Sequence, residues 1–302
     1  MRSLTTIVVG VVSLSCLLSA SSARAEDKAA PAAAAKATPA KAEKAPAEKA
    51  PVEKKAPAEK AEKATKAGPG QFEATWWGQA AWVVKSPGGA VIAIDPWFQN
   101  PKAPQGAEWP AQVDAILITH GHPDHVGNAV ELSKKTNAPI ICAYELAAAL
   151  GAPNTNGMSI GGSTTVKDVT IHVVPAMHAS GFSAGEGKPM EYGGPALGFV
   201  LSLEKGTVLY HAGDTDVFGD MSLIKDRYHP TVAMLPIGGH FTMDPAGAAL
   251  AAKMLGVKTV VPMHFATFPM LTGTPEELKK ALATEKSTAK MVEAKPGDTL
   301  NL

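Results

Sequence analysis

A short apolar run that empties into three histidines and an aspartate restricts this chain more than any other stretch. Residues 113–119 read as a buried strand, and residues 126–135 carry helical periodicity. Between them stand His120, His122, Asp124 and His125. Imidazole nitrogens and carboxylate oxygens are the donors that borderline divalent metals take. Their concentration on one strand-to-helix turn predicts a metal site, because imidazoles converging without a metal would gain nothing. The fold must therefore aim strand ends at a common point.

The chain supplies further strand ends of the same chemistry. Residues 72–77, 80–85 and 90–95 are apolar or alternating runs broken by Gly78-Gln79 and by the turn at 86–89, an opening antiparallel meander. After the histidine turn, strand and helix patterns alternate: helix 126–135, strand 139–143, helix 145–150, then strands 164–167 and 170–174. The last of these runs on to His178. Residues 196–203 and 207–210 form a hairpin whose second strand ends in Asp214, preceded by a glycine that permits close backbone approach. Strand 231–236 is followed by helix 245–255, with Asp244 as N-cap and Pro245 in its first turn. Strand 257–263 ends in His264, a helix opens at Thr274, and 291–302 adds a final strand pair. Seven candidate ligands thus stand at strand ends, too many for one tetrahedral zinc and suited to two ions.

Other polar residues have more than one reading. Asp95 either forms an ordinary turn or reaches beneath the metal site to orient a ligand imidazole. His211 either supports Asp214 or simply packs. His172 alternates with apolar neighbours and faces outward, and Asp216 is a local turn or capping group. His240, on a glycine turn, either stabilises a developing oxyanion or donates to the leaving group, or else packs as a structural histidine. Residues 180–194 contain five glycines, as a flap over a pocket or a plain exposed loop would.

The order of these residues resembles the metallo-β-lactamase superfamily. His120, His122, Asp124 and His125 match its His-x-His-x-Asp-His turn, and His178, Gly213-Asp214 and His264 follow in sequence. Within it, residues 210–215, 235–243 and 262–278 look like the branch that includes L-ascorbate-6-phosphate lactonase. The resemblance covers about residues 71–300. It implies an α/β fold, a four-layer αββα sandwich, with one metal on His120, His122 and His178. The second would lie on Asp124, His125 and His264, with Asp214 bridging. Two divalent ions are expected, zinc first and manganese or iron as alternatives. No cysteine is available to the site, which disfavours the lactamases that use one.

The first 68 residues have a different character. Residues 1–25 combine an early Arg2, an apolar run and Ala23-Arg24-Ala25, the pattern of a signal peptide cleaved before Glu26; an uncleaved anchor is the other reading. Residues 26–68 are almost entirely Ala, Lys, Pro and Glu and lack the apolar content to bury a core. They read as an extended tether, a solvated spacer whose ten lysines offer at most weak contact with an anionic envelope surface. Residues 69–302 form the hydrolase domain. Beyond residue 68, 16 basic residues face 21 acidic ones, a balance of −5 that argues against a nucleic-acid partner. A small molecule is the expected substrate. Oligomeric state is left open.

The expected function is that of an exported, periplasmic or secreted hydrolase in which a metal-bridged hydroxide attacks a carboxylic-ester or lactone bond. Asp124 would help orient the water. A phosphodiesterase is the second reading and a β-lactamase the third, since one fold hosts all three. The rival outside enzymology is an envelope-tethered binding protein with a structural or vestigial metal site.

Overall fold

The computed structural model describes residues 71–302 apart from residue 186, and of residue 205 only the backbone. The signal and tether expected over 1–68 lie outside the described residues. The meander forms as its sequence suggests: β1 (Glu73–Trp76), β2 (Trp82–Lys85) and β3 (Val91–Ile94) pair antiparallel, with Trp76 opposite Trp82 and Trp82 opposite Ile94. The chain then switches to parallel addition, which requires crossovers. Strand β4 (Ala115–Leu117) joins β3, and α1 (Pro123–Val126) with α2 (Ala129–Thr136) carry the chain to β5 (Ile140–Ala143). Helix α3 (Tyr144–Ala149) leads to the parallel edge strand β6 (Thr155–Met158).

A second seven-stranded sheet follows. It begins with the hairpin of β7 (Ser163–Val166) and β8 (Val169–Pro175), and a small two-stranded ribbon comes next, β9 (Gly181–Phe182) with β10 (Glu191–Tyr192). Strand β11 (Leu197–Ser202) lies antiparallel between β8 and β12 (Val208–His211). Parallel strands β13 (Val232–Pro236) and β14 (Thr259–Met263) extend it, linked by helices α4 (Met221–Tyr228) and α5 (Pro245–Leu255). Asp244 caps α5 through Gly247 N at 2.7 Å, and Thr274 with Glu277 forms a reciprocal capping box on α6 (Pro275–Thr284).

The period-two alternation of the second sheet sorts its side chains into two cores. Leu209, Val232, Met234, Val261 and Met263 pack toward the first sheet, in one cluster with Trp82, Ile92, Ile94 and Ile116. Their neighbours Tyr210, Ala233, Leu235 and Val260 turn the other way, onto Met221, Ala248, Leu255 and Leu278 of the helices. Helices α2 and α3 contact β5, and α3 also contacts β6. The expected αββα sandwich is the result, with each fully buried Leu or Ile contributing about 1.5–3 kcal/mol.

Two local expectations are corrected. The helix expected at 126–135 begins inside the histidine turn and breaks at Gly127, whose backbone (φ 41°) no ordinary helix contains. A Cβ there would lie 2.5 Å from the Cα of Trp97, so close packing of two loops, not helix propensity, decides the break. Nor do the terminal strands pair with each other. Strand β15 (Lys290–Met291) joins β14 in the second sheet, while β16 (Thr299–Asn301) pairs antiparallel with β1 in the first. The turn at residues 295–298, with Lys295 N donating to Asp298 Oδ2 at 2.8 Å, separates the two.

Strand direction positions the site. Strands β8, β12, β13 and β14 all run the same way, because β11 is antiparallel to both β8 and β12. His178, Asp214 and His264 leave their C-terminal ends at one edge. The end of β4 is fastened there by a hydrogen bond from Leu197 N to Thr119 O, 2.9 Å.

Candidate metal centre

The seven strand-end residues come together. Donor atoms of His120, His122 and His178 lie within 4.8 Å of one another, as do those of Asp124, His125 and His264, and those of His120, His125 and Asp214. The rings of His120, His122 and His178 are mutually near-perpendicular, with centroids 4.6–5.1 Å apart, so their edges face a shared space. His120 Nε2 is 2.9 Å from His122 Nδ1. Asp214 connects the outer groups: its Oδ2 lies 3.0 Å from His264 Nε2, 3.3 Å from His125 Nε2 and 3.7 Å from His178 Nε2.

Close approach of backbones makes this possible. Gly213 (φ 62°) presses on Thr119, where a Cβ would fall 2.8 Å from that residue's own Cβ. Thr215 Oγ1 accepts from Met177 N at 2.9 Å, tying the His178 loop to the Asp214 loop. His211 is not among the converging groups. Its Nδ1 accepts from Gly213 N at 3.2 Å and its Nε2 reaches Ala80 O at 3.3 Å, so it supports the turn that presents Asp214. His172 packs on Tyr228, and Asp216 accepts from Val217 N in a local turn.

Asp95 takes the orienting role. It is fully buried, holds a positive φ of 45°, and accepts from Thr119 N (2.8 Å), Thr119 Oγ1 (2.7 Å) and His125 Nδ1 (2.7 Å). Since the Thr119 hydroxyl proton goes to Asp95, its oxygen accepts from His120 Nδ1 at 3.1 Å. One carboxylate thus turns the Nε2 atoms of both His120 and His125 toward the centre, as outer hydrogen bonds to ligand imidazoles do.

Gln79 was not singled out by the sequence. Its backbone (φ 50°) is held by two donors to its carbonyl, Trp76 Nε1 and His264 N, each at 3.0 Å. The side-chain amide reaches Asp124 Oδ2 at 2.8 Å and His264 Nε2 at 2.7 Å. The one available signal was a polar residue inside an otherwise apolar segment, Trp77-Gly-Gln-Ala-Ala81.

Electrostatics divide the cluster. Burial pushes His120, His122 and His178 below imidazole's ordinary range, reinforced by neighbouring histidines, so they offer free lone pairs. Burial opposes the charging of His125 and His264 as well, but there the carboxylates prevail. Asp214, Asp124 and Asp95 hold His125 well above its usual range, and Asp214 with hydrogen bonds to Asp124 raises His264 to about 9. Against burial, the same two histidines hold Asp124 and Asp214 far below the carboxylate range. Cations belong in this space, and divalent ions would displace the imidazolium protons.

The donor set fits such ions. Five imidazoles and two carboxylates suit zinc, manganese or iron. His125 Nε2 and Asp214 Oδ1 are buried without a hydrogen-bond partner, a cost that ligation would remove. The cluster floors a cavity of about 500 Å³, in which His122, Asp124, His178, Asp214 and His264 are accessible.

His240 does not join them. It is exposed on the turn at 239–243, its ring against Phe241 at 4.5 Å, and it lines an adjacent groove with Met177 and Asp216. The backbone bond from Gly239 N to Met243 O (3.0 Å) closes that turn. His240→Ala is therefore expected to retain kcat/KM within about threefold, the range of a surface change worth up to about 0.5 kcal/mol. A loss of a hundredfold would return it to the reaction.

Comparison with known proteins agrees with this geometry. Residues 90–265 match the model of the beta-lactamase superfamily domain. A UPF0173 metal-dependent hydrolase of Myxococcus xanthus is 53% identical over 250 residues, covering 82% of this chain and 89% of that one. Another, from Archaeoglobus fulgidus, is 41% identical over 228 residues, 74% of this chain and 96% of its own. Among solved structures, Igni18, a metallo hydrolase from Ignicoccus hospitalis, superposes with a TM-score of 0.67 at 34% identity, covering 77% of this chain and 98% of that one. With its two seven-stranded sheets, its strand-end histidines and these relatives, the chain belongs to the metallo-β-lactamase superfamily.

Proposed function

We propose that this metal-dependent hydrolase is an exported enzyme that cleaves a carboxylic ester or lactone with two divalent ions. The observation that carries the reading is the overlap of three ligand groups at the floor of an open cavity. A closed structural zinc takes four protein ligands, whereas this floor offers seven groups and leaves room above them. His120, His122 and His178 would hold one ion and Asp124, His125 and His264 the other, with Asp214 in reach of both. Zinc is our first assignment. When bound, such a pair polarises a carbonyl and lowers the pKa of water from 15.7 to about 7.

The chain's own residues do the positioning. Asp124 is partly exposed to the cavity and fixed by Gln79 Nε2 at 2.8 Å, so its carboxylate orients the attacking water. Asp95 and Thr119 keep two imidazoles in register. Among the described residues lining the cavity none is Lys or Arg, which favours an ester over a phosphodiester.

Removal of metal tests the reading. The purified mature chain is expected to carry about two ions, to lose ester and lactone hydrolysis on dialysis against a chelator, and to recover it with zinc. Bis(p-nitrophenyl) phosphate and a β-lactam serve as comparison substrates. Undiminished activity in the metal-free protein, or turnover of the phosphodiester alone, would sink the proposal. Export is tested separately, by finding whether the mature N-terminus begins at Glu26.

A further inference from the structure

The walls of the cavity are of a different chemistry from its floor. Above the histidines and carboxylates stand Trp97, Pro101, Pro123, Phe241 and Phe268. We propose that the site takes an uncharged ester or lactone whose acyl portion is flat and apolar and lies against the Trp97–Phe268 face. The inference rests on the hydrolase reading above and adds the substrate's shape and charge.

Geometry favours stacking. The rings of Trp97 and Phe268 stack on each other, 6.1 Å apart and 27° from parallel, so together they make one aromatic block in the cavity wall. Flat π-systems bind such a surface in offset or edge-on contact. A volume of about 500 Å³ accommodates a ligand of one or two rings.

The wall is built before any substrate arrives. Trp97 lies two residues beyond Asp95, with Trp97 N donating to Asp95 O at 2.7 Å, and Asn128 N donates to Pro96 O at 2.9 Å. The missing side chain of Gly127 lets the histidine turn press directly on Trp97. Phe268 sits four residues past His264, in a turn closed by Leu271 N to Phe268 O at 3.0 Å. The segments that position ligands therefore also position the apolar wall, and no ordering of loops has to accompany binding.

Charge excludes the alternative. A carboxylate or phosphate carried away from the scissile bond would be desolvated against rings and prolines with no cation among the described lining residues to receive it.

The test uses the zinc-loaded mature chain and three esters with the same leaving group: methyl phenylacetate, methyl acetate and monomethyl succinate. Hydrolysis is followed by proton release. Methyl phenylacetate is expected to exceed both others in kcat/KM by about tenfold or more, with monomethyl succinate the slowest. Two ketones that cannot be hydrolysed, phenylacetone and acetone, are titrated alongside, and phenylacetone is expected to bind about tenfold tighter. Trp97→Leu, checked for wild-type metal content, should bring both ratios toward one. Equal rates and equal ketone affinities in the wild type, or preference for the anionic ester, overturn the inference. Tight phenylacetone binding that depends on Trp97, without cleavage of any ester, would uphold the apolar subsite while removing the ester reading.

Discussion

Asp214→Ala will lose at least about 10³-fold in kcat/KM, roughly 4 kcal/mol of barrier, together with at least one bound ion. Among the described residues, Asp214 alone has a single oxygen within 3.7 Å of His125, His178 and His264, so it links both candidate ligand groups. Without it the ions would lose their shared ligand, and in the metal-free protein His125 and His264 lose the carboxylate that most raises them. Asp214→Asn keeps the shape and removes the charge, and it is expected to fail nearly as badly, because attraction for the cations is what disappears. Metal content by mass spectrometry and steady-state kinetics on one ester read both variants. Two retained ions with wild-type turnover would show that Asp214 is no ligand.

The second large effect lies one layer outside the ligands. Asp95→Asn is expected to weaken zinc affinity by about 10- to 100-fold although the residue need not touch an ion. Asparagine tolerates the positive φ of this position, so the change isolates hydrogen bonding from backbone strain. Its amide offers one acceptor oxygen where the carboxylate accepts three donors, from Thr119 N, Thr119 Oγ1 and His125 Nδ1. At least one buried donor is left unpaired, costing about 1–3 kcal/mol in the metal-free protein. Competition with a chromophoric chelator gives the affinity and thermal melting of the metal-free protein gives the stability. Unchanged affinity beside lowered stability would make Asp95 a fold residue only.

The convergence of the seven His and Asp residues was legible in the sequence because their chemistry is rare at strand ends and strand ends are themselves legible. Five imidazoles and two carboxylates, each just beyond an apolar run, allow few other readings. Asp95 stood at a strand end too, but a lone aspartate there forms turns as readily as it orients a histidine, and only the distance to His125 decides. Gln79 gave almost no signal, since its role depends on a left-handed backbone held by Trp76 and His264, contacts 3 and 185 residues away in sequence. The placement of His240 outside the cluster was not legible, because a histidine that follows two glycines carries no information on which way its loop faces. The break at Gly127 and the parting of β15 from β16 reflect packing between distant segments, to which local periodicity is blind.

The pairing of β16 with β1 has a consequence in time. Glu73 lies opposite Asn301, so the first sheet gains this strand only once the chain has been made as far as residue 301. The converging His and Asp residues are drawn from both sheets, and contacts of such long sequence separation form late. A partly synthesised or threading chain would hold the His120–His125 turn without Asp214 or His264, and would bind metal weakly. For the exported protein proposed here, loading falls to the compartment of arrival, and the ions available there, more than the donor set, would choose the metal.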